Sequence, residues 1–232
     1  SMHKAGSFSN QLVEWFVAEI QKRTEGAVTF EPYYGEVLVG GREQLEAIQK
    51  GVADYGLMLP SYTPGKLPLA YSQYAYPFNP RDTVTATKVW WQLINEFPAF
   101  AKELAANNVK LLYLGSSDDY ALLSRMPIRN ADEAKGKKVA QLGGYFADWT
   151  KALGITPVSG LTIAERYERL RGGVVDASLL PPNMHRLYSE HEVAKHLIMT
   201  RLGAYNALSY VINLDTWNKM TPELQKLFLD TG

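Results

Sequence analysis

Asp54 and Asp176 are the pair of side chains best spaced to tempt a general acid and base assignment, since each follows a helix stop and opens an apolar run. Residues in such places engage in turn hydrogen bonds, so catalysis by them is not expected. The four histidines, His3, His185, His191 and His196, show no HExxH-like spacing, and a metal site is not expected. The absence of cysteine excludes thiolate catalysis, disulfides and cysteine-zinc sites, and is neutral about redox compartment. Neither a Ser/His/Asp or Cys/His arrangement nor a glycine-rich phosphate loop is evident, so no enzyme and no cofactor are expected. Binding chemistry is better represented. Gly143-Gly144 ahead of Tyr145 supplies backbone N–H groups at a helix start, which either receive a carboxylate or form an ordinary tight turn. Gln141 offers an amide either to a ligand or to a sheet edge. Tyr145, Phe146 and Trp149 fall near one helical face, to line a cleft or to fill a core. Ser61 and Tyr62 follow a strand that ends at Pro60, and ligands of open α/β sheets bind at strand C-termini.

These residues need a scaffold, and 232 residues can bury one sizeable core or two small ones. The 24 basic and 24 acidic residues are scattered, which gives no nucleic-acid or polybasic membrane surface. The 14 tyrosines and 5 tryptophans exceed what a minimal core requires. No apolar run reaches the roughly 18 residues of a membrane span. The opening Ser1-Met2 reads as an expression scar, so a removed signal peptide is expected.

The clearest unit is 135–181. An apolar run at 138–142 breaks at Gly143-Gly144, and a helical pattern over 145–153 stops at Gly154. Thr162 stands three residues before Glu165 as a capping box for a helix ending near Gly172-Gly173, and Val174, Val175, Leu179 and Leu180 predict a buried strand. Alternating strands and helices predict a mostly parallel sheet covered by helices. Elsewhere the spacing predicts a helix from Phe8, a strand over 27–33 with Val28 and Phe30 inward, a helix over 42–50 and a strand over 53–59. Residues 61–82 have no clean period, and a long irregular segment of this kind is usually functional. Helices over 83–96 and 98–107 follow, then strands over 109–114 and 120–124, with Asn130 and Glu133 capping a short turn. Short helices are predicted over 183–187 and 190–194, strands over 197–200 and 208–213, a turn capped by Asp215, and a last helix from Thr221-Pro222. Residues 46–60 echo 168–181 in pattern: helix end, glycine stop, two apolar residues, Asp, strand. The echo argues for two similar α/β lobes.

Three stretches carry a family resemblance: EWFVAEIQKRTEGAVTFEPYYGEVLVGGREQLEAIQKGVADYGLML, MPIRNADEAKGKKVAQLGGYFADWTKALGITPVSGLTIAERYERLRGGVVDA and LSYVINLDTWNKMTPELQKLF. Together they resemble the solute-binding proteins of tripartite ATP-independent periplasmic (TRAP) transporters, the DctP-type family. The resemblance implies a two-lobed α/β periplasmic-binding-protein-like fold of the class II type, closing on ligand between lobes 1–114 plus 208–232 and 115–207. It also implies that the first lobe lacks the family's first strand and its C-terminal helices, which leaves self-association through that lobe open. The implied function is capture of a small organic solute in the periplasm and its delivery to membrane permease subunits. A ligand-sensing or other non-transport binding module of the same fold is the alternative.

The resemblance also bears on the site. Where the family usually places an arginine that clamps a carboxylate, two residues after a glycine-lysine pair, this chain has Gly136-Lys137-Lys138-Val139-Ala140. Three explanations stay open: another base serves, with Arg125 at the end of the preceding strand as the candidate; the ligand is zwitterionic or neutral and polar; or the usual ligand class is no longer bound. Asn183 falls where the family often sets an asparagine against the ligand, with helix capping as its other role. Tyr74 lies in the family's Pro-Phe loop around Pro77-Phe78 and is expected at the crevice, with Phe78 packed as a wedge. Asn206 and Tyr205 are expected to close the pocket from the hinge side.

Overall fold

A computed structural model of the chain describes residues 8–205 and 208–232. Their strands are β1 (Tyr55–Met58), β2 (Val109–Gly115), β3 (Ala121–Ser124), β4 (Lys138–Ala140), β5 (Thr156–Val158), β6 (Ala177–Leu180), β7 (His196–Met199) and β8 (Leu208–Asn213). They form a three-stranded sheet, β1-β8-β2, and a five-stranded sheet, β5-β4-β6-β3-β7. The chain divides into two compact units: Ser1–Tyr71 with Thr87–Gly115 and Asn206–Gly232, and Ser72–Ala86 with Ser116–Tyr205. Residues 72–86, expected with the first lobe, belong to the second unit. Tyr74 accounts for this, because its ring stacks on Tyr205 at 5.5 Å and meets Phe146 at 5.6 Å.

In the first unit the central strand β8 is buried along its whole length, because side chains alternate between two apolar layers. One layer gathers Phe16 and Ile20 of the helix Phe8–Arg23 with Leu57, Leu112, Tyr210 and Phe228. The other gathers Leu45, Ile48, Met58, Trp90, Leu111 and Val211. Both strand pairs in this sheet are antiparallel, unlike the expected parallel arrangement, since β8 returns from the far end of the chain against both neighbours. The strand expected over 27–33 does not form. Val28 and Phe30 pack against the core as the alternation requires, yet the segment joins no ladder. It borders, with Asp54–Leu57, a cavity of about 480 Å³ that none of the expected site residues lines.

The second unit has a mixed sheet: β4 is parallel to β5 and β6, while β3 is antiparallel to β6 and β7. Thr162 and Glu165 form the expected capping box of the helix Ile163–Arg171. The echo is structural as well. Gly51 and Gly173 take φ 71° and 70°, the left-handed conformation that ends a helix and releases the chain into β1 and β6. Asp54 accepts from the Thr216 hydroxyl at 2.7 Å, which ties the start of β1 to the helix Leu214–Lys219, and Asp176 accepts from the Lys138 amide at 2.8 Å, which ties the start of β6 to β4. Asp215 is not a cap: Asn213 accepts from the Thr216 amide instead, and Asp215 accepts from the Asn108 amide group.

Buried tyrosines give the fold a pH dependence. Burial pushes the phenols of Tyr55, Tyr113, Tyr205 and Tyr210 above their ordinary range, and the Tyr55 and Tyr113 hydroxyls bond to each other. Below the free-phenol pKa of about 10, these groups are neutral in both folded and unfolded chains, and their contribution is complete. As pH rises from there toward the raised folded values, the unfolded chain ionises first and stability falls. Urea midpoints followed with tyrosinate absorbance should show these phenols ionising only as the chain unfolds. Full tyrosinate formation in a folded chain would contradict their burial.

Candidate ligand-binding site

The parallel strands β4 and β6 run side by side, with Ala140 at the end of β4 opposite Ser178 and β6 continuing through Leu179 and Leu180. From β4 the chain enters the turn 141–144, and from β6 it enters Pro181 and the helix Pro182–Leu187. Gln141 is fully buried. Its amide nitrogen donates to Ser159 Oγ at 3.1 Å and its carbonyl accepts from the Gly143 amide at 2.8 Å. The Gln141 side chain therefore holds the turn in shape from inside. Gly143 and Gly144 have φ 88° and 53°, which a side chain would strain, and Gly144 starts the helix Tyr145–Ala152 without a side-chain cap. Tyr145, the first helical residue, is exposed. Asn183 is also exposed, in the first turn of its helix. Its expected capping role is not realised, because Pro181 occupies the N-cap position.

Behind this border lies an aromatic cluster. Phe146 meets Tyr74 at 5.6 Å, Tyr120 at 5.1 Å, Trp149 at 4.7 Å and Tyr205 at 5.4 Å. Tyr74, Tyr120, Phe146 and Tyr205 are buried, so Tyr74 supports the border as packing. Tyr205 is locked further, its hydroxyl donating its one hydrogen to the Leu202 carbonyl at 3.1 Å with the Tyr76 carbonyl at 3.3 Å as a second, shared acceptor. Phe78 is no wedge: it is 74% exposed, at φ 66°.

Arg125 is placed elsewhere. β3 runs antiparallel to β6 with Ser124 opposite Ala177, and the Arg125 amide donates to the Asp176 carbonyl. Arg125 therefore stands at the beginning of β6, while Tyr145 and Asn183 stand beyond the ends of β4 and β6. The four strand residues of β6, roughly 13 Å, intervene before Asn183, and the three of β4 before the turn that leads to Tyr145. The guanidinium lies against Gly173, where an added Cβ would come within 2.8 Å of Nη1. Tyr62 belongs to the first unit, in the turn Pro60–Tyr62 after β1, with the Arg42 guanidinium 5.1 Å from its ring centre. Asn206 lies outside the described residues.

Sequence reading missed a buried polar network on the other side of Ala140. Arg166, from the helix Ile163–Arg171, is fully buried and donates through Nη1 to the carbonyl of Leu179 at 3.2 Å, with Ser178 Oγ at 3.4 Å and the Ala140 carbonyl at 3.5 Å. Ser178 donates to Glu190 Oε1 at 3.2 Å, and Glu190 Oε2 lies 2.5 Å from His185 Nδ1. His185 Nε2 faces the Ala121 carbonyl at 3.1 Å. A carbonyl only accepts, so the ring donates through Nε2 to Ala121. The basic side chain nearest Ala140 in this network thus engages backbone and Ser178. Its sequence signal was weak, since an arginine in a charged helix reads as solvent-facing.

The comparisons agree with this architecture. The family model of bacterial extracellular solute-binding proteins, family 7 (DctP), matches residues 1–231. A solute-binding protein of Albidiferax ferrireducens is 28% identical over 204 residues, covering 87% of this chain and 59% of that protein. The chain thus spans about three-fifths of the length of that relative. Among solved structures, a TRAP periplasmic solute-binding protein from Desulfovibrio salexigens is 26% identical with a TM-score of 0.83, covering all of this chain and 70% of its own. A marine metagenome TRAP solute-binding protein specific for aromatic acids, solved with 3-hydroxybenzoate, has a TM-score of 0.89 at 19% identity, covering all of this chain and 72% of its own. No group of three or more potential metal-ligating side chains occurs among the described residues. The two-unit α/β fold is that of periplasmic binding proteins, and the family binds solutes in the periplasm without catalysing their conversion. With a match that runs nearly end to end, the chain belongs to the DctP family of bacterial extracellular solute-binding proteins.

Proposed function

We propose that the protein captures a small organic solute for a TRAP transporter and hands it to the membrane permease subunits. The supporting observation is the border formed by the ends of β4 and β6, where exposed Tyr145 and Asn183 sit on a turn and a helix held rigidly from behind. Ala140 brings no charge to this border, and Arg125 lies at the opposite end of the sheet. Recognition here rests on an aromatic face and neutral hydrogen-bonding groups, which suits a solute with an apolar or aromatic body and a polar end. The aromatic-acid specificity of the metagenome protein is in keeping with such a solute.

Thermal melts against aromatic acids, aliphatic organic acids, amino acids and compatible solutes test this. A ligand at about one hundred times its dissociation constant adds about 2.7 kcal/mol of stability. Tyr145→Ala and Asn183→Ala should weaken the response about tenfold or more in midpoint concentration, and Arg125→Ala should leave it unchanged. Loss of the response in the Arg125 variant alone would reject this placement of the site.

A further inference from the structure

The two borders of the five-stranded sheet differ in a way that bears on what can join them. β5 closes one side with three residues and Pro157 in the middle, and a proline has no N–H for a further ladder. β7 closes the other side with His196-Leu-Ile-Met199, free of proline, glycine or bulge, its register running unbroken from Ala121 opposite Met199 to Ser124 opposite His196. Leu197 is 51% and Met199 46% exposed. In an antiparallel pair only alternate residues direct their N–H and C=O groups at the partner, so half of those on β7 point away from β3. Beside the strand lies an open hollow of about 530 Å³ lined half by apolar residues, Leu123, Pro182, Ala194 and Leu197, and half by His185, Arg186, His191 and Lys195. Lys195 precedes the strand and Arg201 follows it closely, with His191 and His196 nearby. Of the acidic groups on the adjoining helix Glu190–Val193, Glu192 is exposed and Glu190 is buried against His185.

We propose that the β7 border is a docking edge for an extended segment of a partner protein, apolar at alternate positions and flanked by carboxylates, which adds to the sheet as a further strand. Main-chain hydrogen bonds would supply affinity, the hollow would take an apolar side chain, and Lys195 and Arg201 would select acidic flanks. A second copy of the chain fits poorly. Antiparallel pairing of two β7 strands centred on Ile198 sets Lys195 of each against Arg201 of the other, and like charges directly opposite are destabilising. The hollow shares the helix Pro182–Leu187 with the ligand border, but β3 separates β7 from β6 and β4, so the inference goes beyond solute capture.

Amide hydrogen exchange of the whole chain, with and without a synthetic peptide Glu-Val-Thr-Val-Thr-Val-Glu, tests the proposal. The acidic peptide should slow exchange over 196–199 by about tenfold or more, with the effect falling as salt rises. The counterpart carrying lysines in place of the two glutamates should give little protection. Leu197→Lys and Met199→Lys, both at exposed positions, should abolish protection while leaving the circular dichroism spectrum unchanged. Three results would overturn the proposal: absence of protection, equal protection by both peptides, or protection that appears without peptide as the chain dimerises in sedimentation.

Discussion

Glu190→Ala is expected to lower the unfolding free energy of the second unit by about 1–3 kcal/mol, the cost of leaving buried polar groups without their hydrogen-bond partner. Glu190 is fully buried and bonds to two groups at once, accepting from Ser178 Oγ and sharing a hydrogen bond with the His185 ring. Its removal leaves both without this partner and removes the link from the helix Glu190–Val193 to β6. His185 cannot compensate by turning, because its other ring nitrogen is bonded to the Ala121 carbonyl of β3. Glu190→Gln keeps an oxygen and the side-chain shape, and should cost less than the alanine substitution. Urea unfolding followed by circular dichroism and by tryptophan fluorescence would measure both, with the two probes separating the units if they unfold apart. A loss below about 1 kcal/mol for Glu190→Ala would show that the network does not hold the unit together.

Phe146→Ala is expected to cost about 3–5 kcal/mol, the range for removing a large aromatic side chain from a packed core. The ring touches Tyr74, Tyr120, Trp149 and Tyr205, so its removal leaves a void that four large rings cannot close by small shifts. Phe146 also follows Tyr145 directly, so ligand affinity should fall together with stability. Phe146→Leu, which fills most of the space, should recover much of both. If Phe146→Ala unfolds like the parent in urea, the cluster is not the support that its geometry indicates.

The fold was legible where local pattern and tertiary need coincide. The Thr162–Glu165 capping box and the Gly51 and Gly173 helix stops are local devices and form where their residues predict, whereas the buried strand expected from Val174 starts only at Ala177 and leaves Val174 exposed. The 27–33 segment shows the limit of such reading. Alternation tells which side chains turn inward, but a strand also needs a neighbouring edge, and that is set by distant chain. For the same reason the antiparallel direction of β8 was not readable, nor was the transfer of 72–86 to the second unit. At the candidate site, Tyr145 and Asn183 stand exposed at the expected strand ends, whereas Gln141 and Tyr74 prove to be internal supports. The distance of Arg125 from Tyr145 and Asn183 was not readable, because sequence gives its position along β3 but not the direction of β3 against β6. The buried roles of Arg166, His185 and Glu190 were hidden because their residue types are those of a solvated surface.

The most direct measurement is calorimetric titration of the chain with the solutes that raise its melting temperature, followed by chemical analysis of the recovered solute. Saturable binding at one site per chain, with the solute returned unchanged, is the expected result. Conversion of the solute at a rate abolished by Asp54→Asn or Asp176→Asn would contradict a binding role, as would the absence of saturable binding by any of the solutes.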